Sequence, residues 1–155
     1  MITLRSVTEK DCKMVWSWAT DPGVRAVSFS SDDIPYDTHI RWFKTKLNDP
    51  NCVFFIAEEI NQEPVGQVRY DLVDNEATIS VIVDDNFKGQ GYGSQIIARA
   101  SERIFKIQHV RTIHAYVMPE NHASIKAFKK ANFQLIESTT VNGQLASHFV
   151  LSKKA

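Results

Sequence analysis

Three glycines alternate at Gly89, Gly91 and Gly93 inside VIVDDNFKGQGYGSQIIARASERIF, Val81 to Phe105. An apolar run precedes them and a helical pattern follows. No other stretch constrains the chain so tightly. Glycine lets backbone N–H groups approach a ligand with no Cβ in the way, but it loses more conformational freedom on folding than any other residue. Where a helix begins, its first amides have no intrahelical acceptor, and the helix dipole adds positive character. A glycine loop at that point makes an anion site suited to phosphate. Lys88 adds a charge at its entrance. A flexible turn with no ligand is the plainer alternative.

Spacing argues against two nucleotide motifs. A P-loop needs Gly-x-x-x-x-Gly-Lys-Ser/Thr, and no Lys-Ser/Thr follows these glycines. A dinucleotide fingerprint needs Gly-x-Gly-x-x-Gly on the first βα unit. Here the spacing is Gly-x-Gly-x-Gly, in mid-chain.

The surrounding pattern supplies the elements. Alternation predicts a strand over Ile2–Ser6. Helical spacing of Cys12, Val15, Trp16 and Ala19 predicts a helix over Thr8–Ala19, with Thr8 as cap and Asp21-Pro22-Gly23 as stop. Val24 to Pro35 reads as irregular. A second helix spans Asp37–Leu47 with Ile40, Phe43 and Leu47 on one face. Cys52–Ile60, Val65–Val73 and Ala77–Val83 form a meander. A helix runs from Gly93 to Phe105, a strand from Val110 to Met118, and a short helix from Asn121 to Ala131. Gln134–Val141 and Gln144–Leu151 form a hairpin, since Asn142-Gly143 suits a type I′ turn. The order β-α-α-β-β-β-α-β-α-β-β implies at least one parallel crossover in a mostly antiparallel sheet. The expected fold is a three-layer α/β (α+β) domain with a mixed sheet, one domain over residues 1–155.

Eighteen basic residues balance eighteen acidic ones, so the chain has no general attraction to nucleic acid or an anionic membrane. Cys12 and Cys52 are the only cysteines; they read as buried apolar residues in a reducing compartment. The N-terminus lacks an apolar signal core, and no run is long enough to span a membrane. A cytoplasmic protein is expected.

Lys88-Gly89-Gln90-Gly91-Tyr92-Gly93 resembles the Gln/Arg-x-x-Gly-x-Gly/Ala motif of the GNAT acetyltransferase superfamily. MPENHASIKAFKKANF, Met118 to Phe133, resembles that family's second motif at the right separation. The resemblance covers nearly the whole chain, and the element order matches. It implies acetyl-CoA as donor; the cysteines and histidines show no metal-ligand spacing, so no metal is expected. It also implies pyrophosphate on the loop amides from Gly89 to Ser94, including Gly91, Tyr92 and Gly93. Pantetheine would lie beside Val81, Ile82 and Val83 like an added strand. Asn121 matches the family asparagine at the coenzyme and also reads as a helix N-cap. Two positions depart from the pattern. Lys88 stands for Gln or Arg, keeping charge but losing the bidentate fork. Phe128 stands where many relatives carry a tyrosine that protonates the leaving thiolate, and phenylalanine cannot donate a proton.

Acetyl transfer to an amine needs a neutral amine, a close thioester carbonyl and a donor for the oxyanion, here a strand N–H near Val83. Tyr116 lies where some relatives carry a glutamate base and would orient water or substrate. His114 shares its strand face. His39 titrates in a useful range. His109, His122 and His148 read as scattered, with no metal-binding pairing.

The resemblance places the acceptor site in Val24 to Phe43 and the last hairpin. Ser28, Ser30, Ser31, Asp32, Asp33 and Tyr36 suit a polyhydroxylated amine, and Arg25 and Arg41 suit a phosphate. Trp42 or Phe29 could stack on a base or sugar. Asp37-x-His39-x-x-Trp42-Phe43 resembles a branch that acetylates nucleotide-linked amino sugars, so a small-molecule amine is the expected partner. The rivals are a protein N-terminus as acceptor and an inactive acetyl-CoA-binding module. The resemblance also allows a homodimer, although no surface stripe demands one.

Overall fold

The computed structural model describes residues 2–30, 32–107 and 109–154. Ser31 lies outside the described residues. Seven strands form one sheet: β1 (Ile2–Ser6), β2 (Cys52–Glu59), β3 (Pro64–Val73), β4 (Glu76–Val83), β5 (Thr112–Val117), β6 (Gln134–Val141) and β7 (Gln144–Ser152). Their spatial order is β1-β2-β3-β4-β5-β7-β6. Every pairing is antiparallel except β4 with β5. Among the described residues, five helices complete the fold: α1 (Cys12–Ala19), α2 (Pro22–Ala26), α3 (Tyr36–Leu47), α4 (Tyr92–Ile107) and α5 (His122–Lys130).

The sheet separates two apolar layers because strand side chains alternate faces. Phe55 and Ala57 of β2 join Ile96, Ile97, Ala100 and Ile104 of α4 and Phe128 of α5. Phe54 and Ile56 join Val15 and Trp18 of α1 and Phe43 of α3. The expected three layers and mixed sheet are therefore present. Asn142 and Gly143 take φ of 49° and 76°, as a type I′ hairpin requires.

Three expectations need correction. The first helix is broken: Glu9–Asp11 is a 3₁₀ turn, and α1 starts at Cys12. Asp11 causes the break, since its buried carboxylate accepts from the Thr8 N–H at 2.8 Å and from both terminal nitrogens of Arg5 at 2.8 Å. Burial pushes its pKa up, but Arg5 and Thr8 outweigh this and hold it below the ordinary value. Asp21-Pro22-Gly23 starts a helix rather than only stopping one. Asp21 caps α2 by accepting from the Gly23 and Val24 N–H groups, and Pro22 occupies the first turn, where a missing N–H costs nothing. A further 3₁₀ turn at Asp85–Phe87, capped by Asp84, leads into the glycine loop. Cys12 and Cys52 are half-buried rather than buried.

Candidate active site

β4 and β5 pair only over Glu76–Thr78 with Thr112–His114. Beyond that point β4 stays paired with β3 up to Val83 opposite Gly66, while its other edge faces a gap. The Asp84 N–H donates to the Val65 carbonyl at 2.8 Å. Strand main-chain groups alternate sides, so Val83 and Val81 turn their N–H and C=O toward the gap. Ile82 turns its main chain to β3 instead, opposite Gln67, and packs its side chain on the α1–α3 side. Of the three expected strand contacts, two thus offer main-chain groups and Ile82 does not.

The glycine loop closes the wide end of this gap. Gly89 and Gly91 have φ of 78° and 84°, a region that side chains rarely adopt, and a Cβ there would meet nothing within 4 Å. Backbone geometry, not crowding, selects these glycines. Gly93 differs: its φ is ordinary, and a Cβ would stand 3.4 Å from Ala127 of α5. Among the described residues, the N–H groups of Gly89, Gln90 and Gly91 have no backbone acceptor. Those of Tyr92, Gly93 and Ser94 open α4, where intrahelical acceptors are missing. The Ser94 hydroxyl donates to the Gly91 carbonyl at 3.2 Å. Trp18 Nε1 donates to Asp84 Oδ2 at 2.7 Å, which ties α1 to the entrance of the loop.

One cleft of about 1080 Å³ joins these parts. It is lined by Val81, Ile82, Val83, Lys88 to Ser94, Tyr116, Asn121 and Phe128, so every residue expected at the donor site borders it. Asn121 caps α5, accepting from the Ser124 N–H at 3.3 Å, while also facing the cleft. Phe128 is 3% exposed and packs on Phe133 and Phe149. Lys126 and Lys130, one turn apart on α5, also line the wall. Their spacing is legible in the sequence from Met118 to Phe133. Two rows of unpaired amides, three lysines and a free strand edge fit a long anionic chain with a diphosphate, as acetyl-CoA is. Lys88 is shared, with Nζ 3.5 Å from Asp85 and 3.9 Å from Asp21.

The other half of the cleft lies on the α1–α3 side. Arg25, Ser28, Phe29, Thr38, His39 and Trp42 reach it. Ser30, Asp32, Asp33, Tyr36 and Arg41 do not line it, because they sit on outward turns of the segment and of α3. Arg25 braces the segment, donating to the carbonyls of Ala19 and Ser30 at 2.7 Å each. Trp42 carries the Arg69 guanidinium on its ring, 5.0 Å from the centroid, so that face is taken. Gln144 of the hairpin donates to the Phe29 carbonyl at 3.1 Å.

His39 is buried, and its Nε2 lies 3.0 Å from the Cys12 carbonyl, so that nitrogen carries the proton. Burial lowers its pKa, against the opposing effect of this hydrogen bond. It is a neutral imidazole packed on Trp42 and Phe43. Tyr116 is half-exposed at the cleft and stacks on His148 at 4.5 Å. His148 is not isolated, as the sequence suggested. Its Nε2 lies 2.8 Å from His114 Nδ1, and Glu76 (2.6 Å) and Glu137 (3.4 Å) flank the pair. Register brings them together: Tyr116 opposes His148 across β5 and β7. Burial, ahead of the nearby Asp71, raises the Cys52 thiol to about 11, so it stays protonated at neutral pH. Among the described residues, no three His, Cys, Asp or Glu groups gather as a metal site.

Two wall residues went unrecognised in the sequence. Arg69 donates to Asp71 at 3.1 Å and to Ser80 at 3.3 Å. Gln67 is 3% exposed, and its Oε1 has no hydrogen-bond partner. Such an unpaired buried acceptor costs about 1–3 kcal/mol. Polar residues at Gln67, Arg69 and Asp71, alternating with Val68 and Tyr70, were the available signal.

Comparison with known proteins follows the same lines. The model of the acetyltransferase (GNAT) domain matches residues 1–134. Acetyltransferase PseH of Campylobacter jejuni is 20% identical over 141 residues, covering 88% of this chain and 87% of that protein. Spermidine N(1)-acetyltransferase of Vibrio cholerae is 19% identical over 150 residues, 92% of this chain and 87% of its own length. Among solved structures, aminoglycoside acetyltransferase AAC(6')-Ib in complex with coenzyme A superposes with a TM-score of 0.84 at 20% identity, covering 99% of this chain and 95% of that one.

Proposed function

This chain belongs to the GNAT acetyltransferase family and uses acetyl-CoA, and from that premise we propose that its acceptor is a small primary amine carrying its own negative charge, best matched by a nucleotide-linked amino sugar. One observation carries the acceptor class. Among the described residues, the cleft is lined by Arg25, Arg69, Lys88, Lys126 and Lys130 and by no Asp or Glu. Three of these lysines serve the donor half. Arg25 and Arg69 belong to the acceptor half, and only Arg69 has a carboxylate partner. A polycation brought there would meet like charge and, among the described residues, no lining carboxylate to pair with, which suppresses binding. An anionic acceptor would not.

In this reading, acetyl-CoA supplies an acyl group activated as a thioester. The amides of Gly89 to Ser94, with Lys88, Lys126 and Lys130, hold its phosphates, and Asn121 and Phe128 border it. Val81 and Val83 pair with its extended arm, and a β4 N–H near Val83 donates to the developing oxyanion. Tyr116, its ring set by His148, orients the amine or the water that takes its proton. His39 stays neutral and shapes the wall. Phe128 supplies no proton, so the thiolate leaves unaided. Cys12 and Cys52 are unpaired thiols, in keeping with a reducing cytoplasm.

The test is thiol release from acetyl-CoA with UDP-glucosamine, spermidine, kanamycin and a short peptide offered in turn. UDP-glucosamine should exceed spermidine by about tenfold or more in kcat/KM. The reverse order would overturn the acceptor class. Saturable acetyl-CoA binding with no release to any amine would instead make the chain a binding module.

A further inference from the structure

Gln67 sits in the middle of β3 with its side chain on the α1–α3 side, where it lines the cleft. It is 3% exposed. Its Oε1 is, among the described residues, the one buried side-chain nitrogen or oxygen with no hydrogen-bond partner. Its polar neighbours on that wall are engaged. Arg69 reaches Asp71 and Ser80, and His39 reaches the Cys12 carbonyl. Buried polar groups are nearly always paired, so an amide oxygen left unpaired at the cleft wall is an acceptor that a ligand can satisfy. That ligand must bring an N–H or O–H. In register Gln67 opposes Ile82, beside the stretch of β4 whose outer edge borders the gap. A donor reaching Oε1 therefore stands next to the strand that would carry the thioester.

We propose that Gln67 binds and positions the acceptor, its Oε1 accepting one N–H of the amine to be acetylated. This rests on the amine-acceptor reading above and deepens it. An uncharged oxygen suits the task. A carboxylate there would favour the ammonium form, which has no lone pair to attack with; a carboxamide holds the neutral amine. With one N–H held, the nitrogen lone pair forms the C–N bond to the acetyl carbon. The C–S bond breaks, its electron pair leaves on the coenzyme sulfur, and the proton that nitrogen sheds passes through water to that thiolate.

The test uses Gln67→Met and Gln67→Leu, two apolar replacements of similar reach. The melting temperature of the ligand-free protein should hold or rise in both, because each removes an unpaired buried oxygen. The amine KM should rise, with kcat/KM for the amine down about tenfold or more, while the KM for acetyl-CoA stays within about twofold. A fall in melting temperature of about 4 °C or more in both would mean that the oxygen has a structural role, and would overturn the proposal. Unchanged amine kinetics would also overturn it. Running UDP-glucosamine and glucosamine side by side separates the two readings. If glucosamine alone is acetylated, and still depends on Gln67, the anionic acceptor class falls and the assignment of Gln67 stands.

Discussion

His39 illustrates how surroundings decide what a side chain can do. By type it titrates near neutrality, which made it a candidate base. In place it is buried, donates from Nε2 to the Cys12 carbonyl, and has its pKa lowered mainly by burial. The unfolded chain takes up a proton on this imidazole near pH 6.5, while the folded protein does so only at lower pH. Unfolded protein therefore binds more protons in that window, and stability present above about pH 6.5 is lost as pH falls toward the folded value. His39→Leu removes the titration. Denaturant unfolding of the two proteins between about pH 7 and about pH 5 should give a flatter stability profile for the variant. Parallel profiles would show that His39 takes up its proton as readily in the fold as in the unfolded chain.

At the scale of elements, β3, β4 and α4 meet closely at Gly66. A Cβ there would stand 2.5 Å from the Ile82 carbonyl oxygen and 3.2 Å from both Val83 Cα and Ile96 Cδ1. The contact at 2.5 Å is with backbone, so the strand itself must shift. Gly66→Ala should lower unfolding free energy by about 1–3 kcal/mol, read as a drop in the denaturant midpoint. It should also weaken acetyl-CoA binding by disturbing the β4 edge at Val83. An undiminished midpoint would show that the strands have room to part. Gly66 drew no notice in the sequence, because a lone glycine in a strand does not say which backbone comes near it. Elements set by local chemistry were legible: the meander turns, the Asn142-Gly143 hairpin, and the helix after the glycine loop. Asp21-Pro22 was ambiguous, since the same pair that ends one helix starts another five residues long.

At the scale of the whole molecule, the cleft is a consequence of one departure from regular pairing. β4 and β5 run together for three residues and then separate, leaving Val81 and Val83 paired to β3 but, among the described residues, without a partner on the β5 side. The glycine loop announced an anion site, and the second motif placed Asn121 and Phe128 beside it. The divergence itself had no local mark, because strand pairing between β4 and β5 spans residues far apart in sequence. The acceptor wall was hidden for the same reason. Arg69 and Gln67 come from β3 and Trp42 from α3, and only the folded chain stacks the guanidinium on the indole. Residue type alone does not say which side chains between Val24 and Phe43 face the cleft: Ser30, Asp32, Asp33, Tyr36 and Arg41 turn outward.

All of these scales meet in one quantity, the affinity for acetyl-CoA. Calorimetric titration of the purified protein at moderate salt should give saturable binding in the micromolar range, about −8 kcal/mol. Gly91→Val, which forces a branched side chain onto a φ of 84°, should weaken it by about tenfold or more without unfolding the protein. No heat of binding up to millimolar acetyl-CoA, or a Gly91→Val protein that binds as well as the original, would contradict the account of the glycine loop as the phosphate cradle.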